Sequence, residues 1–67
     1  MAQAEVEIQD LKGRRLAVFS ADVDPSSASE CVALLRSQAR ELRRPVEGLR
    51  LVTWTTRGMR RRLEYRA

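Results

Sequence analysis

The fold is decided by residues 26–45, which read SSASECVALLRSQARELRRP and lie between two stretches rich in strand-forming residues. Six apolar residues of this segment recur at helical spacing and fall within a sector about 100° wide, as in a helix that packs on a sheet. These residues are Ala28, Cys31, Val32, Leu35, Ala39 and Leu42. We therefore predict one helix whose single apolar face belongs to the core.

Both ends of this helix carry local signals. Ser27 and Glu30 have the spacing of a capping box, and Asp24 is a rival N-terminal cap. At the other end, Pro45 has no N–H to donate and disfavours helical backbone in the residue before it. The helix is therefore predicted over residues 26–44.

A β-hairpin is predicted before the helix. Residues 5–9 read EVEIQ, whose strict alternation indicates a strand with one buried face, and residues 14–23 are rich in β-forming side chains. The turn between them contains Gly13, which can adopt the positive φ angle of a tight hairpin turn. With Lys12 and Gly13 at the centre of the turn, the predicted cross-strand pairs are Ile8 with Ala17 and Val6 with Phe19.

A second hairpin is predicted after the helix, from residues 49–56 and 59–66 with a two-residue turn at Arg57 and Gly58. This register pairs Thr56 with Met59, Trp54 with Arg61, Val52 with Leu63 and Arg50 with Tyr65. The residues that it turns toward the helix are Val52, Trp54, Met59, Leu63 and Tyr65. The fold class expected for residues 1–67 is therefore α+β, a single domain of β-hairpin, helix and β-hairpin (ββαββ) in which one helix lies on one face of a four-stranded antiparallel sheet.

The opposite face of this sheet leads to a prediction about assembly. In the predicted registers it carries four apolar residues that the helix cannot cover: Leu16, Val18, Leu49 and Leu51. A chain of 67 residues also has little core of its own. We therefore expect a homo-oligomer in which these four residues are the contacts.

The composition includes few of the residues that enzymes commonly use for catalysis. The chain has one cysteine and no histidine, which excludes an intrachain disulfide and the usual zinc ligand sets. Cys31 lies within the apolar stripe and is expected in the core. Carboxylates at Asp22, Asp24 and Glu30 could face a divalent cation, but without a glycine-bearing loop a capping role is favoured. We expect no enzyme, no cofactor and no metal.

The sequence also bears on location. No apolar run approaches the roughly 20 residues that cross a bilayer, and the first seven residues are acidic rather than a basic lead into an apolar stretch. We therefore expect a cytoplasmic protein without a membrane partner.

The charges are divided unevenly along the chain. Residues 1–33 carry three basic and six acidic groups, a net of −3, whereas residues 34–67 carry ten and three, a net of +7. Two arginine clusters in the basic half are candidate contacts for an anion or a nucleic acid. The first is Arg36, Arg40, Arg43 and Arg44, and the second is Arg57, Arg60, Arg61 and Arg62.

These features leave two functional hypotheses open. The first is a small non-enzymatic binding or assembly module that acts as a homo-oligomer and binds nucleic acid through its arginine-rich half. The alternative is a protein-interaction or structural subunit, such as an assembly component or an inhibitor, whose arginines meet an acidic protein partner or solvent. Codon bias toward arginine, which supplies twelve of the thirteen basic residues, is a further explanation of the clusters. Trp54 and Tyr65 could stack on bases, but we expect both beneath the helix.

Overall fold

The predicted order of elements is present in a computed structural model that describes residues 3–55 and 60–67. Within these residues four antiparallel strands form one sheet, and one α-helix joins the second strand to the third. The strands are β1 (Ala4–Asp10), β2 (Arg15–Ala21), β3 (Leu49–Trp54) and β4 (Arg62–Tyr65), and the helix is α1 (Ala28–Leu42). The α+β fold predicted from the sequence is therefore confirmed.

The first hairpin has the predicted register away from its turn. Val6 pairs with Phe19 and Ile8 with Ala17. The turn is closed by the N–H of Gly13, which donates to the carbonyl of Asp10 at 3.0 Å while Gly13 adopts a φ of 86°. Next to the turn the register shifts, because Gln9 pairs with Arg15 and leaves Leu16 without a partner on β1.

The two hairpins meet through their first strands, so that the order across the sheet is β2-β1-β3-β4. The central contact is the antiparallel pair of β1 and β3, in which Ile8 lies opposite Leu51 and Val6 lies opposite Thr53. This pairing joins residues 39 to 47 positions apart in the chain. It places four apolar side chains in the core under α1: Val6, Ile8, Leu49 and Leu51.

The second hairpin differs from the prediction by one residue. Val52 pairs with Glu64 and Trp54 with Arg62, one position later than expected. The expected turn at Arg57 and Gly58, with the neighbouring Thr56 and Met59, lies outside the described residues. Because side chains alternate along a strand, a shift of one residue turns β3 over relative to β4.

This register corrects several predicted positions. Leu49 and Leu51 are 1% and 0% exposed in the core under the helix, so their expected place on the open face of the sheet is wrong. Val52 and Trp54 lie on that open face instead of beneath the helix. Of the other expected oligomer contacts, Leu16 packs against the core, and Val18 is 55% exposed on the open face.

The helix is shorter than predicted by two residues at each end. At its start, the Ser27 hydroxyl accepts the N–H of Glu30, and the Glu30 carboxylate accepts the N–H of Asp24, both at 3.3 Å. Ser27 is therefore the N-cap of α1, whereas the rival candidate Asp24 accepts the N–H and the hydroxyl of Ser26 in the turn before the helix. Cys31, Leu35 and Ala39 are the buried residues of α1, which confirms the centre of the predicted apolar stripe.

Candidate functional site

The first predicted arginine cluster is brought together at the C-terminal end of α1. All four side chains are exposed, and with Ala39 and Val46 they line one groove of about 430 Å³. We call these residues the helix arginine cluster: Arg36, Arg40, Arg43 and Arg44. The fold thus places on one surface four guanidinium groups that the sequence distributes over nine residues.

The end of the helix positions the last two members of this cluster. Arg43 adopts left-handed backbone geometry, with φ 55° and ψ 46°, and its N–H donates to the carbonyl of Arg40 at 3.2 Å. The N–H of Arg44 donates to the carbonyl of Ala39 at 3.0 Å. These bonds reverse the chain after one αL residue, as in a Schellman motif, and hold Arg44 beside the last helical turn.

The guanidinium groups of the helix arginine cluster have no acidic partner among the residues that the structure describes. None of the four makes an ion pair or a side-chain hydrogen bond within residues 3–55 and 60–67. Cations near the C-terminus of a helix are stabilised by its dipole, which accounts for part of their placement. Their N–H donors nevertheless stay available to an external anion, which the groove would bring within reach of several donors at once.

A second groove extends this basic surface toward the first hairpin. It has a volume of about 340 Å³, and its lining includes Lys12 and Arg14 from the β1–β2 turn as well as Arg44. Arg44 borders both grooves and therefore connects them. Sequence reasoning missed Lys12 because it stands 32 positions before Arg44, and no local pattern indicates that the two meet.

Asp10 neutralises one of the two turn cations. Its carboxylate accepts the backbone N–H groups of Lys12 and Arg14, at 2.9 and 3.0 Å, and the Arg14 Nε–H at 2.8 Å. The hydrogen bond from the Arg14 backbone is the largest of the causes that lower the pKa of Asp10 below its usual range, and its pairing with the Arg14 side chain acts in the same direction. Lys12, in contrast, has no ion pair in the described part of the chain, so the turn contributes Lys12 to the basic surface.

The second predicted arginine cluster is engaged with acidic and aromatic side chains. Arg60 lies 3.4 Å from a carboxylate oxygen of Glu5, and its guanidinium carbon is 5.0 Å from the centre of the Trp54 ring. Arg62 pairs with Glu64 at 3.1 Å. The Arg61 backbone donates to the Thr55 hydroxyl, and Arg57 lies outside the described residues. This cluster therefore offers fewer free guanidinium groups than the helix arginine cluster.

The two aromatic candidates for base stacking have different positions. Tyr65 is half-buried on the helix side of the sheet, and its hydroxyl donates to the carbonyl of Pro25 at 2.6 Å. Burial raises the pKa of this hydroxyl. The expectation that Tyr65 lies beneath the helix is confirmed, whereas the same expectation for Trp54 is wrong because Trp54 is on the open face, next to Arg60.

The remaining polar candidates have structural partners. Cys31 is fully buried, its thiol faces the carbonyl of Asp24 at 3.6 Å, and burial raises its pKa, as expected for a core residue. Asp24 accepts the N–H and the hydroxyl of Ser26 at 2.9 and 2.7 Å. In the part of the chain that the structure describes, no three metal-ligating side chains come together.

Comparisons with known proteins do not assign a function. No protein-family model matches the chain, and neither the curated proteins nor the solved structures contain a significant match. Of the helical segments in residues 3–55 and 60–67, none has the length and apolarity required to span a bilayer.

Proposed function

We propose that this chain is a small non-enzymatic binding module that acts as a homo-oligomer and binds the phosphate backbone of nucleic acid. The observation that carries the proposal is the helix arginine cluster, whose four guanidinium groups line one groove without a carboxylate partner in the described residues. A surface of this kind attracts an anion because no internal ion pair must first be broken. The proposed location is the cytoplasm, where reducing conditions suit a chain with one unpaired thiol at Cys31.

The chemistry of arginine favours phosphate as the ligand. Guanidinium is planar, stays charged at all physiological pH values and donates two parallel hydrogen bonds to phosphate oxygens. Arg36 and Arg40 are one helical turn apart, about 6 Å along the axis, and both border the groove. Lys12 lies next to the cluster through Arg44 and adds a fifth cation. A polymer with regularly repeated phosphates can satisfy several of these groups together.

The same geometry favours contacts to the phosphate backbone of a nucleic acid over contacts to its bases. Trp54 would be the best stacking platform, but the Arg60 guanidinium already lies over its ring at 5.0 Å. Tyr65 is hydrogen-bonded to Pro25 on the helix side of the sheet. We therefore propose binding with little sequence preference, since phosphate contacts position a protein but do not read sequence.

Salt dependence is the direct test of this proposal. Binding of a fluorescent DNA duplex of arbitrary sequence is measured by anisotropy at 50 to 200 mM salt. With five phosphates contacted, one by Lys12 and four by the helix arginine cluster, the logarithm of the binding constant should fall with the logarithm of salt with a slope of about −4.5. Replacing Arg36 and Arg40 by Gln should reduce the slope to about −2.7 and weaken binding at least about tenfold at 50 mM salt.

The matched control removes the same charge from the sheet. The double variant of Arg60→Gln and Arg62→Gln also lowers the net charge by two, but each of these arginines is paired with a carboxylate. It should keep most of the salt slope. Equal losses in both double variants, or no binding to DNA at 50 mM salt, would contradict the proposal. Polyglutamate that binds as tightly as DNA at the same salt would instead favour an acidic protein partner.

A further inference from the structure

The two outer strands of the sheet differ in how their free edges are protected. β4 has four residues, and two of them, Arg62 and Glu64, are charged and paired with each other. β2 has seven residues and no charged or proline residue between Leu16 and Ala21. Proteins commonly protect edge strands by shortness, charge, proline, a β-bulge or a covering element. β4 has two of these features. In β2 the register shift at Leu16 is one such feature, but the segment from Ala17 to Ala21 beyond it has none.

The side chains of β2 are also incompletely covered. α1 packs mainly against β3 and β4, toward the edge of the sheet opposite β2. Phe19 is only half-buried on the helix side of β2, and Val18 is 55% exposed on the open side. Both sides of this edge therefore have apolar surface that a further strand would cover.

We propose that β2 pairs antiparallel with β2 of a second copy of this chain, around a two-fold axis at Val18. This pairing specifies the surface of the homo-oligomer in the proposed function. It joins the two sheets into one of eight strands and removes the open β2 edge from both copies. Because a two-fold axis perpendicular to the sheet keeps each face on its own side, both helices lie on the same side of the joined sheet.

The residues of β2 are complementary to themselves in this register. Val18 lies opposite Val18 of the second copy, and Phe19 lies opposite the small Ala17. The charges at the ends of the strand also match, since Asp22 of each copy approaches the Arg14–Arg15 pair of the other. Asp22 has no ion pair in residues 3–55 and 60–67, and the side chains of Arg14 and Arg15 are 71% and 68% exposed. Opposite charges across an antiparallel pair stabilise the pairing.

The proposed dimer places the two helix arginine clusters far apart. Each cluster lies near the β1–β2 turn of its own copy, because Arg44 and Lys12 border the same groove. In an antiparallel pair of β2 strands, the two turns are at opposite ends of the joined edge. A dimer would therefore present two basic surfaces to separate stretches of one polymer, which raises the apparent affinity.

Sedimentation equilibrium of the purified chain tests the association. The mass expected is twice the 7.7 kDa of one chain. Val18→Lys should raise the dissociation constant of the dimer at least about 100-fold, because it places two ammonium groups opposite each other. The control is Leu11→Lys, which changes a similarly exposed leucine (46%) in the β1–β2 turn and should leave the mass unchanged. Circular dichroism verifies that both variants are folded.

Cross-linking then tests the register. Opposite residues in antiparallel strands have Cα atoms about 4.5 to 5.5 Å apart, a separation that a disulfide spans. Val18→Cys should therefore form a covalent dimer with oxidised glutathione, whereas Leu11→Cys should not. The native Cys31 is fully buried and does not compete. Asp22→Arg should weaken the dimer without changing β2 itself.

Each outcome has a distinct meaning. A chain that is monomeric at all concentrations, or a dimer that survives Val18→Lys, overturns the β2 pairing. Equal cross-linking of Val18→Cys and Leu11→Cys also overturns it. The DNA titration remains informative in each case, because a monomer that binds DNA with the expected salt slope supports the helix arginine cluster and rejects only the dimer.

Discussion

Arg50 lies 3.0 Å from the Gln9 side-chain oxygen and 3.6 Å from a Glu64 carboxylate oxygen, whereas Arg40 has no acidic partner within residues 3–55 and 60–67. The difference between these two arginines extends to their regions. The open face of the sheet pairs its arginines with polar and acidic side chains from β1 and β4. The end of α1 brings together arginines that have no acidic partner in the described part of the chain. The same residue type therefore stabilises the fold in one region and remains available for binding in the other.

The paired region also covers apolar surface. Val52 is 0% exposed although it lies on the face without a helix. Its neighbours across the strands are Glu7 and Glu64, and Arg50 precedes it on the same face. The long side chain of Arg50 is itself only 22% exposed. We infer that the charged side chains of this face cover Val52, in the way that arginine stems commonly cover apolar surface.

The largest expected effect is on stability, when one arginine of each region is truncated in the same way. Arg50→Ala should lower the free energy of unfolding by about 1 to 3 kcal/mol. The substitution removes the hydrogen-bond donor of the buried Gln9 side-chain oxygen, and it exposes Val52 to solvent. Arg36→Ala should change it by less than about 0.5 kcal/mol. Urea denaturation measures both. Similar values for the two variants would remove the structural distinction between the regions.

The next effect concerns the strained end of the helix. Arg43 has a φ of 55°, a conformation that costs residues with a Cβ about 1 to 2 kcal/mol and that glycine adopts readily. Arg43→Gly should therefore raise the free energy of unfolding by about 1 kcal/mol, after allowance for the flexibility of glycine in the unfolded chain.

Arg43→Ala is the matched control for this change. It removes the same charge but keeps the strain, so it should bring no such gain, while both variants should lower the salt slope of DNA binding. A destabilised Arg43→Gly protein would show that Arg43 makes a stabilising contact of its own. The expected result would instead show that arginine is present here despite its effect on stability.

A smaller effect is expected at the junction of the two grooves. Lys12→Ser should reduce the salt slope of DNA binding by about 0.9, equivalent to one phosphate contact, and weaken binding a few-fold. Arg61→Ser removes one exposed charge at the opposite end of β3 and β4 and should leave the slope nearly unchanged. If the Arg61 variant loses the contact and the Lys12 variant does not, the second predicted cluster is the binding site.

The smallest expected effect is a pH dependence at the β1–β2 turn. Because the pKa of Asp10 is lowered in the folded protein, its contribution to stability is present above the ordinary aspartate pKa of about 3.9 and is lost as the pH falls through the lower folded value. Asp10→Asn should reduce stability at neutral pH and flatten its decline in acid. Urea denaturation at pH 2 to 7 measures this, and an unchanged acid profile would contradict the role of Asp10.

The sequence predictions are accurate where the deciding interactions join residues close together in the chain, and they fail where those interactions join distant residues. The capping residues Ser27 and Glu30 act over four residues, and the turn at Gly13 determines the register of the first hairpin over a similarly short distance. In β3, by contrast, both faces carry apolar residues. Leu49 and Leu51 lie on one face, Val52 and Trp54 lie on the other, and the sequence gives no reason to prefer one of them as the buried face. The pattern of this strand alone does not discriminate between the two registers.

The candidate site divides in the same way. The helix arginine cluster is readable from the sequence, because residues three, four, seven and eight positions apart share one face of a helix. The sequence does not show that this cluster lacks an acidic partner in the described residues, because several carboxylates that pair with other arginines come from different strands. Lys12 joins Arg44 only because the β1–β2 turn folds against the end of α1.

The sequence by itself determined the order of strands and helix, the register of the first hairpin, the centre of the helix face and the buried thiol of Cys31. These properties depend on local backbone geometry and on periodicity within one element. Only the tertiary structure decided that β1 pairs with β3 and that Leu51 therefore lies in the core opposite Ile8. It also decided that the arginines of the sheet are paired, whereas the helix arginine cluster has no acidic partner in the described residues. Each of these contacts joins residues far apart in the chain, and its stability depends on burial and charge pairing that exist only after the elements have packed together.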